Sequence, residues 1–154
     1  MSSPKIITTG HNAEGLSIFI NNPQCKNFSP SVGMHYSTGS SVPIDLNKNA
    51  DIAFETRDYS GLIPKQGSGV LILEWPPGAD GLAKIHRTMS VDVGVMMMGI
   101  ERHLDSSETR LIKQSDVLQR GAMHAWKNPS ATEPARMLCF DLPSQPVEGA
   151  KEKA

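Results

Sequence analysis

No block of like charge, no long apolar run and no closely spaced cysteine pair occurs in these 154 residues, and each absence removes a class of protein. The 15 basic and 16 acidic side chains are interspersed and leave a formal net charge of -1. Nucleic acids and anionic membranes are held by basic faces, so neither is an expected partner. The longest apolar stretch, Val91 to Ile100, is broken by Asp92 and two glycines, far short of the ~20 residues a membrane span needs. The opening Met-Ser-Ser-Pro-Lys lacks the apolar core of a secretory signal, which points to a cytoplasmic protein. Cys25 stands in a polar stretch and Cys139 in an apolar one; without a pairing pattern they read as free thiols in a reducing compartment. Phosphate-cradling glycine loops, a nucleophile elbow and a dinucleotide fingerprint are also missing, which argues against nucleotide-dependent chemistry.

What the chain has instead is punctuation. Its 13 glycines and 11 prolines divide short alternating segments, and no long 3.6-residue periodicity competes with them. An all-β protein is expected, with strands over Lys5 to Thr9, Leu16 to Asn21, Met34 to Thr38, Asp51 to Thr56, Gly69 to Trp75 and Lys84 to Arg87. Further strands are expected over Asp92 to Met98, Glu101 to Leu104, Thr109 to Ile112, Asp116 to Gln119, His124 to Lys127 and Arg136 to Leu142. A dozen short strands at this spacing form a sandwich or a closed barrel. Leu104 to Glu108 reads as a hairpin tip, and Pro76-Pro77-Gly78 opens a rigid loop. The stretch from Pro23 to Asn49 is loop-rich, a candidate arm or lid.

Two polar clusters interrupt the strand-like sequence: His86-Arg-Thr88-Met-Ser-Val-Asp92 and Gln119-Arg-Gly-Ala-Met-His124-Ala-Trp126-Lys-Asn128. On extended backbone His86 and Thr88 share a face, Asp92 keeps that parity if no bulge intervenes, and His124 shares a face with Trp126. If the strands fold back on each other, two imidazoles and a carboxylate converge. Such a set suits Zn, Fe, Mn or Ni with open coordination positions. It equally suits metal-free proton transfer, since histidine titrates near neutrality and burial raises a carboxylate.

These clusters carry a resemblance. Gly121-X-X-His124-X-X-X-Asn128 is similar to the second cupin motif, and His86-X-Thr88-X-X-X-Asp92-X-X-X-X-X-X-Gly99 resembles the first. With Thr-Gly-His11-Asn near the start, the likeness extends over most of residues 5 to 142 and is strongest to small single-domain cupins of fungi and bacteria. The resemblance implies a double-stranded β-helix, the cupin jelly-roll barrel. One domain is expected: N-terminal strands and a loop-rich arm over 1–50, the barrel core over 51–142 and a flexible tail over 143–154. Carried over position by position, His86, Asp92 and His124 match metal ligands, whereas Thr88 replaces the family's second histidine and Asp92 is one methylene shorter than its glutamate.

The resemblance further implies a homodimer paired through its N-terminal segment, and a small-molecule enzyme of secondary metabolism using His86, Asp92 and His124 as catalytic residues. A lyase or isomerase acting on an apolar, polyketide-like metabolite by decarboxylation, dehydration, isomerisation or cyclisation is the leading expectation, because an incomplete ligand set disfavours dioxygen chemistry. A metal-dependent dioxygenase and a non-catalytic metabolite-binding cupin are the alternatives. Trp126, Met96, Met98 and Thr88 are the expected substrate contacts, with His35 closing from the arm. The methionine-rich strand would form an adaptable apolar wall.

Overall fold

The computed structural model describes residues 7–20, 26–38, 44–47, 51, 59–60, 62–119 and 122–148. Arg120, Gly121 and Cys25 lie outside the described residues, as does the expected strand Asp51 to Thr56 beyond Asp51 itself.

Alternation writes the strands. In β7 (Gly69–Trp75), Leu71 and Leu73 turn inward while Glu74 turns away. In β8 (Ser90–Met98), Asp92, Gly94 and Met96 point in, and Val91 and Met97 are exposed on the opposite face. In β13 (Ala135–Pro143), Met137, Cys139 and Asp141 are buried, and Phe140 and Leu142 are exposed. β8, β13 and β7 pair antiparallel at the centre of a six-stranded sheet. Its order is completed by β11 (Val117–Gln119) beyond β8, and by β4 (Val32–Ser37) and β3 (Lys26–Ser29) beyond β7. Facing it is a three-stranded sheet in which β9 (Ile100–Leu104) lies between β10 (Thr109–Ile112) and β12 (His124–Lys127).

From β8 onward the chain passes back and forth between these two sheets: β8, then β9 and β10, then β11, β12 and β13. That winding is the double-stranded β-helix. Its core, Met34, Leu71, Met96, Ile100, Ile112, Ala135, Met137 and Cys139, is drawn from both sheets. Burial of its methionine, leucine and isoleucine side chains contributes on the order of 1.5–3 kcal/mol each. Two small ribbons complete the described chain, β1 (Thr8–His11) with β2 (Ser17–Ile20), and β5 (Tyr59–Ser60) with β6 (Ile63–Pro64). No helix among the described residues is long and apolar enough to cross a membrane.

Two expectations need correction. Within the stretch expected as a loop-rich arm, β3 forms where no strand was expected and β4 begins two residues before the strand expected over Met34 to Thr38, because Phe28, Val32, Met34 and Tyr36 pack on the core despite flanking Ser, Pro and Asn. Lys84 to Arg87 is not a strand: Leu82–Lys84 forms a 3₁₀ turn, and only His86 pairs, through an isolated bridge to His124.

Candidate active site

The loop from Pro76 to His86 is laced onto β12 along its length. Asn128 N–H donates to Ala79 C=O at 2.8 Å and Gly81 N–H to Trp126 C=O at 3.0 Å; His86 and His124 then exchange two backbone bonds of 2.9 and 2.8 Å. Asn128, fully buried, fastens the far end: its amide donates to the carbonyls of Pro76 and Glu133 at 3.0 and 2.9 Å. This lacing brings His86 beside His124, their ring centroids 4.8 Å apart.

Both imidazoles are oriented by backbone. His86 Nδ1 donates to Lys84 C=O at 2.9 Å, and His124 Nδ1 to Ala122 C=O at 2.7 Å. Because a carbonyl only accepts, each Nδ1 carries a proton, and Nε2 is the nitrogen that bears the lone pair whenever a ring is neutral. His86 is exposed at the cavity rim, whereas His124 is 5% exposed and stands edge-on to Trp126 at 5.1 Å. Burial pulls the His124 pKa down to about 4, helped by the Arg102 and His86 charges and opposed by the Ala122 bond and Asp92. It is therefore a neutral hydrogen-bond acceptor at physiological pH.

Across the barrel, Asp92 on β8 and Asp141 on β13 are directly paired in register and hydrogen-bonded to each other. Burial first, then the charge and hydrogen bond of Asp92, raise the Asp141 pKa to about 7. The pair thus holds a shared proton into the neutral range. The Ser90 hydroxyl lies between Thr88 Oγ1, at 2.8 Å, and Asp92 Oδ1. Thr88, at the position of the family's second histidine, belongs to a hydroxyl chain leading to the carboxylate.

His86, Thr88, Asp92, His124 and Trp126 all line one cavity of about 210 Å³ between the sheets, with Leu71, Leu73, Trp75 and Met137 among its apolar walls. Other expected contacts lie elsewhere. Met96 is 1% exposed in the core, Met98 is half-buried outside the lining, and His35 on β4 also lies outside it. His35 falls at a register irregularity of β4, between Met34 and Tyr36, and the methionine on the wall is Met137.

Asp141 and Arg102 were not singled out from sequence, yet both line the cavity. A signal existed for each, a lone charge at an inward-facing position of a strand. Arg102 is the register partner of Trp126, and its guanidinium carbon lies 5.3 Å from that ring's centroid. Cys139 also faces the cavity, but burial and the Asp141 and Asp92 charges push its thiol pKa up, so it is no nucleophile.

The fold family implies a metal. Among the described residues no three His, Cys, Asp or Glu side chains converge as an ion requires. The two imidazoles meet, while the Asp92 carboxylate is engaged by Ser90 and Asp141. The donor set as placed does not fit.

No family model matches the chain, but relatives aligned over most of its length do. Phomopsin biosynthesis cluster protein D of Diaporthe leptostromiformis is 35% identical over 96% of this chain and 82% of its own. The cupin-domain-containing oxidoreductase srdB of Neurospora crassa is 35% identical, covering 90% of this chain and 73% of its own. A further cupin-domain-containing oxidoreductase, fogC of Aspergillus ruber, is 33% identical over 84% of this chain and 68% of its own. The chain belongs to the cupin-domain proteins.

Proposed function

We propose that this cupin is a lyase or isomerase of secondary metabolism that moves protons on a small, mostly apolar metabolite. One observation carries the reading: a proton-sharing carboxylate pair and two backbone-oriented imidazoles line the same apolar cavity. In an elimination, the His86 Nε2 lone pair takes a proton from carbon, the C–H electrons form the new double bond, and the Asp92–Asp141 pair gives its proton to the departing hydroxyl, which leaves as water. His124 accepts a hydrogen bond from the substrate and fixes its pose. Enolisation and cyclisation use the same base and acid. General acid–base groups contribute roughly 10²–10⁴-fold each, so His86→Ala, Asp92→Asn and Asp141→Asn each lower kcat by that order, and His124→Ala impairs turnover through misplacement.

The relatives' oxidoreductase names favour a second reading, oxidation with dioxygen and a metal. The intermediate that accumulates when this gene is deleted from its host, incubated with the purified protein, separates the two. Loss of water or carbon dioxide, or rearrangement at constant mass, without oxygen uptake is expected. Gain of oxygen or loss of two hydrogens with oxygen uptake overturns the proposal, and stoichiometric binding without change reveals a non-catalytic cupin.

We also propose that the protein works as a homodimer. The β1–β2 ribbon exposes Ile18 and Phe19, and the outer face of the main sheet exposes Val91, Phe140 and Leu142. Apolar surface at both places suits a second copy better than water.

A further inference from the structure

We propose that Arg102 is the anion anchor of the barrel cavity, and that the molecule taken there is an organic monocarboxylate. This deepens the functional reading above, resting on the cavity as the substrate site and naming the class of compound it admits.

Arg102 lines the cavity from β9 with its guanidinium against the face of Trp126. Its Nε is buried and has no hydrogen-bond partner. Among the described residues no carboxylate lies within ion-pair distance of it: Asp92 acts on it only at longer range, being tied to Asp141 and Ser90. Arg136, on the outer face of the main sheet, shows a satisfied arginine in the same protein, with both Nε and Nη2 donating to the Glu74 carboxylate. A guanidinium held in an apolar cavity with no carboxylate in direct contact is incompletely compensated, and an incoming anion that pairs with it relieves that cost.

The chemistry of the anion follows from the surroundings. A planar guanidinium matches a planar carboxylate through two parallel hydrogen bonds. The cation–π contact with Trp126 holds the guanidinium over that ring. The Asp92–Asp141 pair, short of one proton, carries negative charge in the same space and disfavours a dianion such as a phosphate monoester. Leu71, Leu73 and Met137 on the walls leave the rest of the ligand apolar.

Two matched pairs of probes test this on the whole chain by calorimetry and tryptophan fluorescence: octanoate against 1-octanol, and 3-phenylpropionate against 3-phenylpropanol. In wild type at least one acid should bind tenfold or more tighter than its alcohol. Arg102→Gln should lose that preference while binding the alcohol within twofold of wild type, and Arg102→Lys, which keeps the charge without the fork, should fall between. No acid preference in either pair in wild type, or a preference retained in folded Arg102→Gln, overturns the proposal. The wild-type pairs decide even if the variants fail to fold. Binding needs no turnover, so an acid preference without proton chemistry would identify a carboxylate receptor, and proton chemistry without the preference would leave the catalytic reading intact.

Discussion

Asp141 costs the fold something that only its proton repays. Its ordinary value is 3.8 and its folded value about 7. Below pH ~4 folded and unfolded chains both hold the proton; as pH rises towards 7 only the folded chain does, so stability falls over that window. His124 works in the opposite sense: with its folded value near 4 against 6.5, its contribution is present above pH ~6.5 and is lost as pH falls towards 4. Asp141→Asn removes the first effect alone. The melting temperature of D141N should therefore gain on wild type as pH is raised from 4.5 to 8, by roughly 2–4 °C for each kcal/mol removed in a domain of this size. Parallel curves in a thermal scan across pH would contradict it. Asn128 is a second single-residue case: Asn128→Ala strands buried carbonyls of the loop and should cost about 1–3 kcal/mol in urea unfolding. His86, Asp92, Thr88 and His124 were legible in the sequence because each sits in a motif of fixed spacing. Asp141 and Arg102 were not, because the partners that give them meaning, Asp92 and Trp126, are supplied by strand register and not by neighbours along the chain.

The same division holds among the strands. β7, β10 and β12 begin and end where alternation and flanking turn residues place them. β3 and the start of β4 were hidden by polar, loop-like composition that tertiary packing overrides. The opposite failure, an apolar-polar rhythm over Lys84 to Arg87 that makes only one bridge, arises because Asp80 Oδ1 accepts from Leu82 N–H at 3.0 Å and starts a 3₁₀ turn. This loop positions His86, and Gly81 is its tightest point: a Cβ there would lie 2.9 Å from the Trp126 carbonyl oxygen. Backbone cannot yield as a flexible side chain can. Gly81→Ala should therefore cost about 1–3 kcal/mol of stability, as overpacking does, and should disturb the His86 resonance by NMR more than that of His103. An alanine variant as stable as wild type would show that the loop is not clamped there.

At the scale of the whole molecule, a barrel of this size needs no second copy to bury its core, so the exposed apolar side chains call for a separate account. Phe19 is 73% and Phe140 42% exposed. If a second copy covers them, sedimentation should report a dimer, and Phe19→Asp or Phe140→Asp should yield folded monomers; monomeric wild type at all concentrations would refute the pairing. The central claim concerns the interior, where a polar set confined by an apolar barrel keeps a proton at neutral pH for use on a substrate. Carbon-13 NMR titration of the aspartate carboxyls, in wild type and D141N, tests it most directly. One carboxyl should titrate close to neutrality in wild type and no aspartate should do so in the same way in D141N. If every wild-type aspartate instead titrates in the ordinary range near 4, the shared proton does not exist and the acid–base reading falls with it.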